Sequence, residues 1–447
     1  MWRGLGVLAC ACVGLSSIAM AQTATDRLPP PQPPTMWQPS GSQTLNAPDV
    51  PSVSRSITDR WPSSVAPAPA VGFTAGAWQI FPQVTAGAFY DDNVFATNSN
   101  RQSDWGYLVR PEIGARTQGS NYVFTTQGFV EDRQYTRFKS EDQVNGAVGA
   151  ATVVQPDNDT QVVGRLRYVH GHEDRGTGES VFGTFDKPVA YDTLEAAGAF
   201  NKRYNRVWTS VGVAELWSHY QNPTIGGVPV DFGYRDGNVT WVNGRAGYVV
   251  APLTSVFVEV AGNDRHWQVS AFDSDGYRVV GGVLLEPGQG ARLIGEAYAG
   301  YMYQTYNGST FQTVSTFTYG GLMQWLIAPQ WTAVFVGRRD ALESAGLTTT
   351  APITSGVSLI ESLVGARLDY AIQPNFIVGA GASYLVDEFV GAGRTDRILS
   401  PLVSVKYLPT RNITLGFDYR NVSFGSSGLG VLAYYRNVYL FSINAKF

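Results

Sequence analysis

Along most of this chain, apolar and polar residues alternate with a period of two, in short runs broken by turn residues. Ile413, Leu415, Phe417 and Tyr419 alternate with Thr414, Gly416, Asp418 and Arg420. Val364, Ala366, Leu368 and Tyr370 alternate with Gly365, Arg367 and Asp369, and Gly164, Leu166 and Tyr168 with Arg165 and Arg167. Val403, Val405 and Tyr407 alternate with Ser404 and Lys406. A period of two means β-strands with unlike faces. One face here is apolar with Tyr, and the other is small, polar or charged.

The runs are punctuated in two ways. Tight turn signals stand at residues 118–121, 156–159, 202–205, 251–254, 286–289, 328–330, 373–375 and 409–412, rich in Gly, Pro, Asn and Asp. Between them lie longer polar loops, such as 91–103, 171–192, 221–236 and 340–355. Eight tight turns divide residues 78–447 into nine hairpins, hence about 18 strands, with 16 as the alternative count.

Composition decides what the apolar face meets. Charged residues make up 15% of the chain, against about 25% in soluble domains. Mean hydropathy is nevertheless −0.09. No internal run approaches the roughly 20 apolar residues of a membrane helix. A typical soluble enzyme surface and a helical membrane protein are both excluded. The fold class is all-β, a transmembrane up-and-down antiparallel β-barrel. Lipid offers no partner to an unpaired strand edge, so the sheet must close. Short turns then face the periplasm and long loops the exterior. A soluble propeller has repeats of similar length, but no blade signature recurs here. The net charge of −4 gives nucleic-acid binding no support.

Residues 1–21 read as an export signal: Arg3, an apolar stretch, then Ala19-Met20-Ala21 as the cleavage site, so the mature chain begins at Gln22. The rival is a lipobox at Val7-Leu8-Ala9-Cys10, against which the preceding apolar stretch is short. Cys10 and Cys12 both fall inside the signal, leaving a mature chain without cysteine. Residues 22–75 are rich in Pro and read as a disordered periplasmic linker or tail, either a passive spacer or a docking segment. Residues 76–447 form the barrel. The location that follows is the outer membrane of a Gram-negative cell envelope.

At the C-terminus Tyr439, Phe441, Ile443, Ala445 and Phe447 share one strand face. A closing amphipathic strand ending in Phe resembles the sorting signal read by the barrel-assembly machinery. The segment Gly87-Ala88-Phe89-Tyr90-Asp91-Asp92-Asn93-Val94-Phe95, then Ser103-Asp104, Arg110-Pro111-Glu112 and Gln134-Tyr135-Thr136-Arg137-Phe138, resembles the opening of the family described as "putative beta-barrel porin 2". That resemblance extends from about residue 76 to the end. It implies an outer-membrane barrel with a porin-like or exopolysaccharide-export role, and transfers no catalytic residues.

Charges at alternating positions cannot all face lipid, where an Arg costs about 2–4 kcal/mol at mid-depth. Arg165, Arg167, Arg245, Glu259, Glu296, Arg367, Asp369, Lys406, Asp418 and Arg420 are therefore expected to line the lumen and set a transverse field there. The third long loop carries Glu173, Asp174, Arg175, Glu179, Asp186 and Lys187, and by analogy with porins is the candidate constriction. Tyr301, Tyr303, Tyr419 and Tyr439 are assigned to interfacial girdles on the lipid face, and Trp241, beside Asn243 and Arg245, to the lumen side. His170 and His172 share a strand face, and Asp264 and His266 form a second pair with Asp91 and Asp92 elsewhere. Neither makes a convincing metal or hydrolase site, so no catalytic residue, metal or cofactor is assigned.

The function expected is a hydrated passage, with exopolysaccharide export as its narrower form. The alternatives are a general diffusion porin, a structural or surface-interaction barrel with a blocked lumen, and, least favoured, a barrel hydrolase. The partners expected are outer-membrane lipid and lipopolysaccharide, the barrel-assembly machinery, and, for export, polysaccharide and periplasmic export proteins.

Overall fold

A computed structural model describes residues 72–176, 185–286, 291–345, 356–428 and 433–447. The expected signal peptide, with Cys10 and Cys12, and residues 22–71 lie outside the described residues, as does Glu179.

In chain order the strands are β1 (Phe73–Ala75), β2 (Trp78–Asp91), β3 (Asp104–Gln118), β4 (Tyr122–Tyr135), β5 (Gln143–Val154), β6 (Thr160–His172), β7 (Ala190–Tyr204) and β8 (Val207–Tyr220). The short β9 (Thr224–Ile225) and β10 (Val228–Pro229) form a hairpin of their own within a loop. There follow β11 (Gly237–Ala251), β12 (Thr254–Trp267), β13 (Ser274–Leu285), β14 (Leu293–Tyr306), β15 (Val314–Ala328) and β16 (Trp331–Ser344). The last are β17 (Val357–Gln373), β18 (Phe376–Phe389), β19 (Arg394–Tyr407), β20 (Ile413–Ser427) and β21 (Ala433–Lys446).

Each long strand pairs antiparallel with the next, and β21 pairs with β2, so Tyr90 stands between Trp105 on one side and Tyr439 on the other. The result is a closed barrel of 18 strands, and the alternative of 16 is set aside. Closure follows from the sequence physics: with one face in lipid, an open edge would leave a row of backbone N–H and C=O groups without partners.

Seven of the eight turn signals fall at a junction at one barrel end; of the eighth, 286–289, all but Glu286 lies outside the described residues. One is displaced. The 202–205 signal was expected to be the turn itself, but β7 continues through Tyr204, and the connection is Asn205-Arg206. Lys202 and Tyr204 keep the alternation and pair with Thr209 and Val207, while Asn205, at φ 54°, takes the left-handed conformation that such hairpins need. The sheet also begins earlier than residue 76. Phe73, Thr74 and Ala75 pair with Ile80, Gln79 and Trp78, making β1 a short foot on the edge of β2.

Burial along the strands is inverted relative to a soluble protein. Leu166, Val258 and Phe441 are 51%, 56% and 54% exposed, whereas Glu259 and Ser255 on the neighbouring positions of β12 are wholly covered. Water would make such a surface unfavourable, and lipid makes it favourable. Aromatics edge the apolar belt. Tyr419–Tyr439 and Tyr277–Tyr303 pack at the long-loop side, and Trp331 stacks on Tyr370 at 4.2 Å at the tight-turn side. Tyr301, two residues before Tyr303, also faces outward toward the long-loop side. Among the described residues no helix is long and apolar enough to cross a membrane.

Candidate functional site

The inward faces of the strands carry the charge. All ten residues expected to line the lumen stand at inward positions, but the structure sorts them into two groups. Arg245, Glu259, Glu296, Arg367, Asp369 and Arg420 are buried, whereas Arg165, Arg167, Lys406 and Asp418 are partly exposed.

The buried group braces the wall. Nε of Arg245 donates to Glu259, and Nη1 donates to Glu296 at 3.1 Å, reaching from β11 to β14. Arg278 on β13 meets the other carboxylate oxygen of Glu259 at 2.9 Å. On β17, Nη2 of Arg367 donates to Asp369 at 2.8 Å and to Ser404 Oγ at 2.6 Å. Beside the first network, Trp208, Phe257, Val280, Leu284 and Tyr298 form an inward-facing apolar cluster. Charges so enclosed are compensated by neighbours and brace the wall rather than meeting solute. Trp241, the aromatic expected on the lumen side, does face inward, but it is buried against Ala214, Leu216 and Val239.

The arc from β3 to β7 is different. Arg110, Glu112 and Arg116 on β3, Gln127 on β4, Arg165 and Arg167 on β6 and Glu195 on β7 are partly exposed on the inward side. Arg110 lies over the Phe129 ring at 3.7 Å and approaches Glu112 at 3.6 Å and Glu131 at 3.7 Å. Arg165 pairs with Glu195, and Glu112 accepts a hydrogen bond from Gln127. Sequence reasoning missed Arg110, Glu112 and Arg116. Their even spacing is the signal, obscured because Gly106, Pro111 and Gly114 interrupt the alternation.

At the long-loop mouth the third loop, between β6 and β7, reaches inward. Glu173 accepts from both terminal nitrogens of Arg235, at 3.1 and 2.5 Å. Arg175 donates to Glu141, in the loop between β4 and β5, at 2.8 and 2.7 Å, and to the Phe185 carbonyl at 2.6 Å. The Tyr434 hydroxyl on β21 donates to the Gly176 carbonyl at 2.9 Å. The stem of the loop therefore leaves β6, passes the β4–β5 loop and touches the far side of the seam. Glu173, Asp174 and Arg175 are buried, whereas Asp186 and Lys187 are exposed. Asp186 accepts hydrogen bonds from the Thr224 hydroxyl and the Gly227 and Gly226 amides, at 2.7, 2.8 and 2.8 Å, and these hold its carboxyl below the usual carboxylate range.

A string of aromatics joins four of the long loops. Phe185 packs on Phe232 with centroids 5.4 Å apart, Phe232 on Tyr234 at 5.7 Å, Tyr234 on Phe272 at 5.1 Å and Phe272 on Phe311 at 5.1 Å. Sequence reasoning treated these loops as polar and separate. The aromatic residues scattered in them were the available signal.

The histidines stand apart from the lumen. His170 and His172 take the outward parity of β6, with His170 bonded to Asp192 and His172 to Asn145, each at 2.9 Å. Asp264 and His266 are outward and exposed, whereas Asp91 is inward and bound to Arg436. The structure thus separates the carboxylates that a hydrolase site would have to unite. Among the described residues no group of three or more His, Cys, Asp or Glu is placed to hold a metal. Tyr439, Phe441, Ile443 and Phe447 lie on the outward face of the closing segment, as their alternation requires.

No curated protein matches this sequence. Solved structures resembling it include the outer membrane protein opdK from Pseudomonas aeruginosa, at 10% identity and TM-score 0.42, covering 82% of this chain and 98% of that one. OccAB4 from Acinetobacter baumannii resembles it at 9% identity and TM-score 0.42, with 82% and 98% covered. A BenF-like porin from Pseudomonas fluorescens Pf-5 does so at 10% identity and TM-score 0.42, with 82% and 99% covered. The model of the family described as "Putative beta-barrel porin 2" matches residues 66–447, a span that includes every strand of the barrel, and the protein belongs to that family.

Proposed function

We propose that this outer-membrane, porin-like barrel is a passive water-filled passage for small polar solutes, open along the β3–β7 arc. The observation that carries the reading is the contrast between the two inward walls. Charge on β11, β12 and β17, and Glu131 and Arg133 on β4, is enclosed, while charge on β3 and β6, with Lys406 and Asp418 on β19 and β20, stays partly exposed. Family and fold point to a channel rather than an enzyme. An 18-stranded barrel also encloses more space than its own side chains fill.

The test is single-channel recording of the purified protein in planar bilayers. Stepwise conductance is expected. A folded barrel that gives no steps would overturn the passage and leave the structural, blocked-lumen role. Exopolysaccharide export is the narrower reading of the same passage. It calls for aromatic faces open to sugar rings, and Trp241, the candidate for that task, is packed away. Loss of secreted polysaccharide on gene deletion, with small-solute uptake unchanged, would replace our reading with export and bring in polysaccharide and periplasmic export proteins as partners. In either case the partners shared by both readings are outer-membrane lipid, lipopolysaccharide and the assembly machinery acting on the closing strand, after cleavage of the N-terminal signal.

A further inference from the structure

We infer that the passage selects anions, through a basic trough built on the inner wall between β3 and β6; this rests on the passage reading above. The trough follows from register. Arg116 on β3 stands opposite Thr125 on β4, Thr125 opposite Ala151 on β5, and Ala151 opposite Arg165 on β6. One row nearer the loops, Gly114, Gln127, Gly149 and Arg167 stand in the same succession. The floor between the arginines is thus made of Thr, Gln, Ala and Gly, over three strand spacings of about 4.8 Å each. Between Arg116 and the Arg165 and Arg167 positions nothing bulkier than Gln127 rises from the floor; Phe129 covers one face of Arg110, and Arg110, Arg116, Arg165 and Arg167 all stay partly exposed.

The partly exposed inward charges of β3 to β7 are these four arginines and two carboxylates, Glu112 and Glu195. Glu112 is engaged by Gln127 and Arg110, and Glu195 by Arg165. The arc therefore carries an excess of positive charge, although the whole chain is acidic at −4. The sign of these partly exposed charges on the β3–β7 arc is opposite to that of the chain, so it does not simply follow composition. Guanidinium stays protonated at any working pH, presents paired donors suited to carboxylate and other oxyanions, and is weakly hydrated. A concave wall bounded by low-dielectric lipid concentrates that field in the passage. The solutes favoured are small organic and inorganic anions.

The test is the zero-current potential of the full-length barrel in planar bilayers under a KCl gradient. A chloride-to-potassium permeability ratio of roughly three or more is expected. The variant combining Arg116→Gln, Arg165→Gln and Arg167→Gln should bring the ratio to about one or below. Arg167→Gln alone, which leaves the Arg165–Glu195 pair intact, should move it part of the way and guards against misfolding of the triple variant. Arg339→Gln, at an outward position beside Phe317 and Glu388, should leave it unchanged. Conducting channels with a ratio at or below one in the unaltered protein would overturn the inference while leaving the passage. A ratio unmoved by Arg167→Gln and the triple variant would overturn the trough as its cause. Absence of channels from a folded barrel would overturn the passage and the inference together.

Discussion

Arg436 on β21 grips Asp91 on β2: its Nε and Nη2 both donate to Oδ2 of the carboxylate, at 3.0 and 2.6 Å, and the Tyr135 hydroxyl reaches the same oxygen at 3.3 Å. These are the first and last long strands of the chain, so this buried pair lies across the seam where the barrel closes. Removing one partner strands a buried charge, and Arg436→Ala is expected to destabilise the folded barrel by about 3–5 kcal/mol. Asp91→Ala combined with Arg436→Ala should lose less than either single change implies. Urea unfolding from lipid vesicles checks this, and single variants as stable as the parent would remove the pair as a seam bond.

The orientation of the strands makes a paired prediction. Val258 lies on the outward apolar belt of β12, while Thr125 lies on the inward floor of β4. Val258→Arg should destabilise by about 2–4 kcal/mol if lipid covers that face, whereas Thr125→Arg should change stability little. Equal effects of the two substitutions would contradict the assigned faces.

Arg175 anchors the stem of the third loop to Glu141, and Tyr434 anchors it to Gly176. Arg175→Ala should raise single-channel conductance and its noise by releasing the stem from the mouth. Tyr434→Phe, which deletes one hydrogen bond, should do the same to a smaller degree. Conductance identical to the parent in both would show that the stem does not narrow the passage.

The clasp formed by Asp186 is pH-dependent with a definite sign. Its carboxyl is held below the usual range by the Thr224 hydroxyl and the Gly227 and Gly226 amides. The stabilisation is therefore complete above the range where a free aspartate ionises, and is lost as pH falls through the lower, folded-state value. Hydrogen exchange at Gly226 and Gly227 should accelerate relative to distant amides on acidification, and Asp186→Asn should show the faster exchange already at neutral pH. Protection that ignores both treatments would refute the clasp.

Much of the architecture was legible because alternation and turn chemistry are local. Asn205, Pro252 and Pro374 each mark a hairpin end within a few residues, and counting such marks yields the strand number. The open wall was not legible for a physical reason. Parity tells which face a residue takes, but not what its neighbours on the next strands will do. Arg165 and Glu259 have the same inward standing, yet Ala151 and Ala197 flank the first, while Arg245 and Val280 flank the second and Arg278 and Asn243 reach it. That distinction needs the register of strands far apart in sequence. The aromatic string is similar. Phe185, Phe232 and Phe272 are widely separated along the chain and meet only after the hairpins between them have closed into a wall.

The foot made by β1 sets up a competition between the two ends of the chain for one template. Phe73–Ala75 occupies β2 at Trp78–Ile80, and immediately above it the Phe447 amide donates to the Pro82 carbonyl, followed by Lys446 opposite Gln83. A first strand that zippered further would fill the sites the last strand needs, and would have to be peeled away before the ring could shut. Pro67 and Pro69, just upstream, have no amide hydrogens to lend to such a ladder. Beyond β1, the same edge of β2 is left to the closing strand, from Pro82 and Gln83 to Asp91.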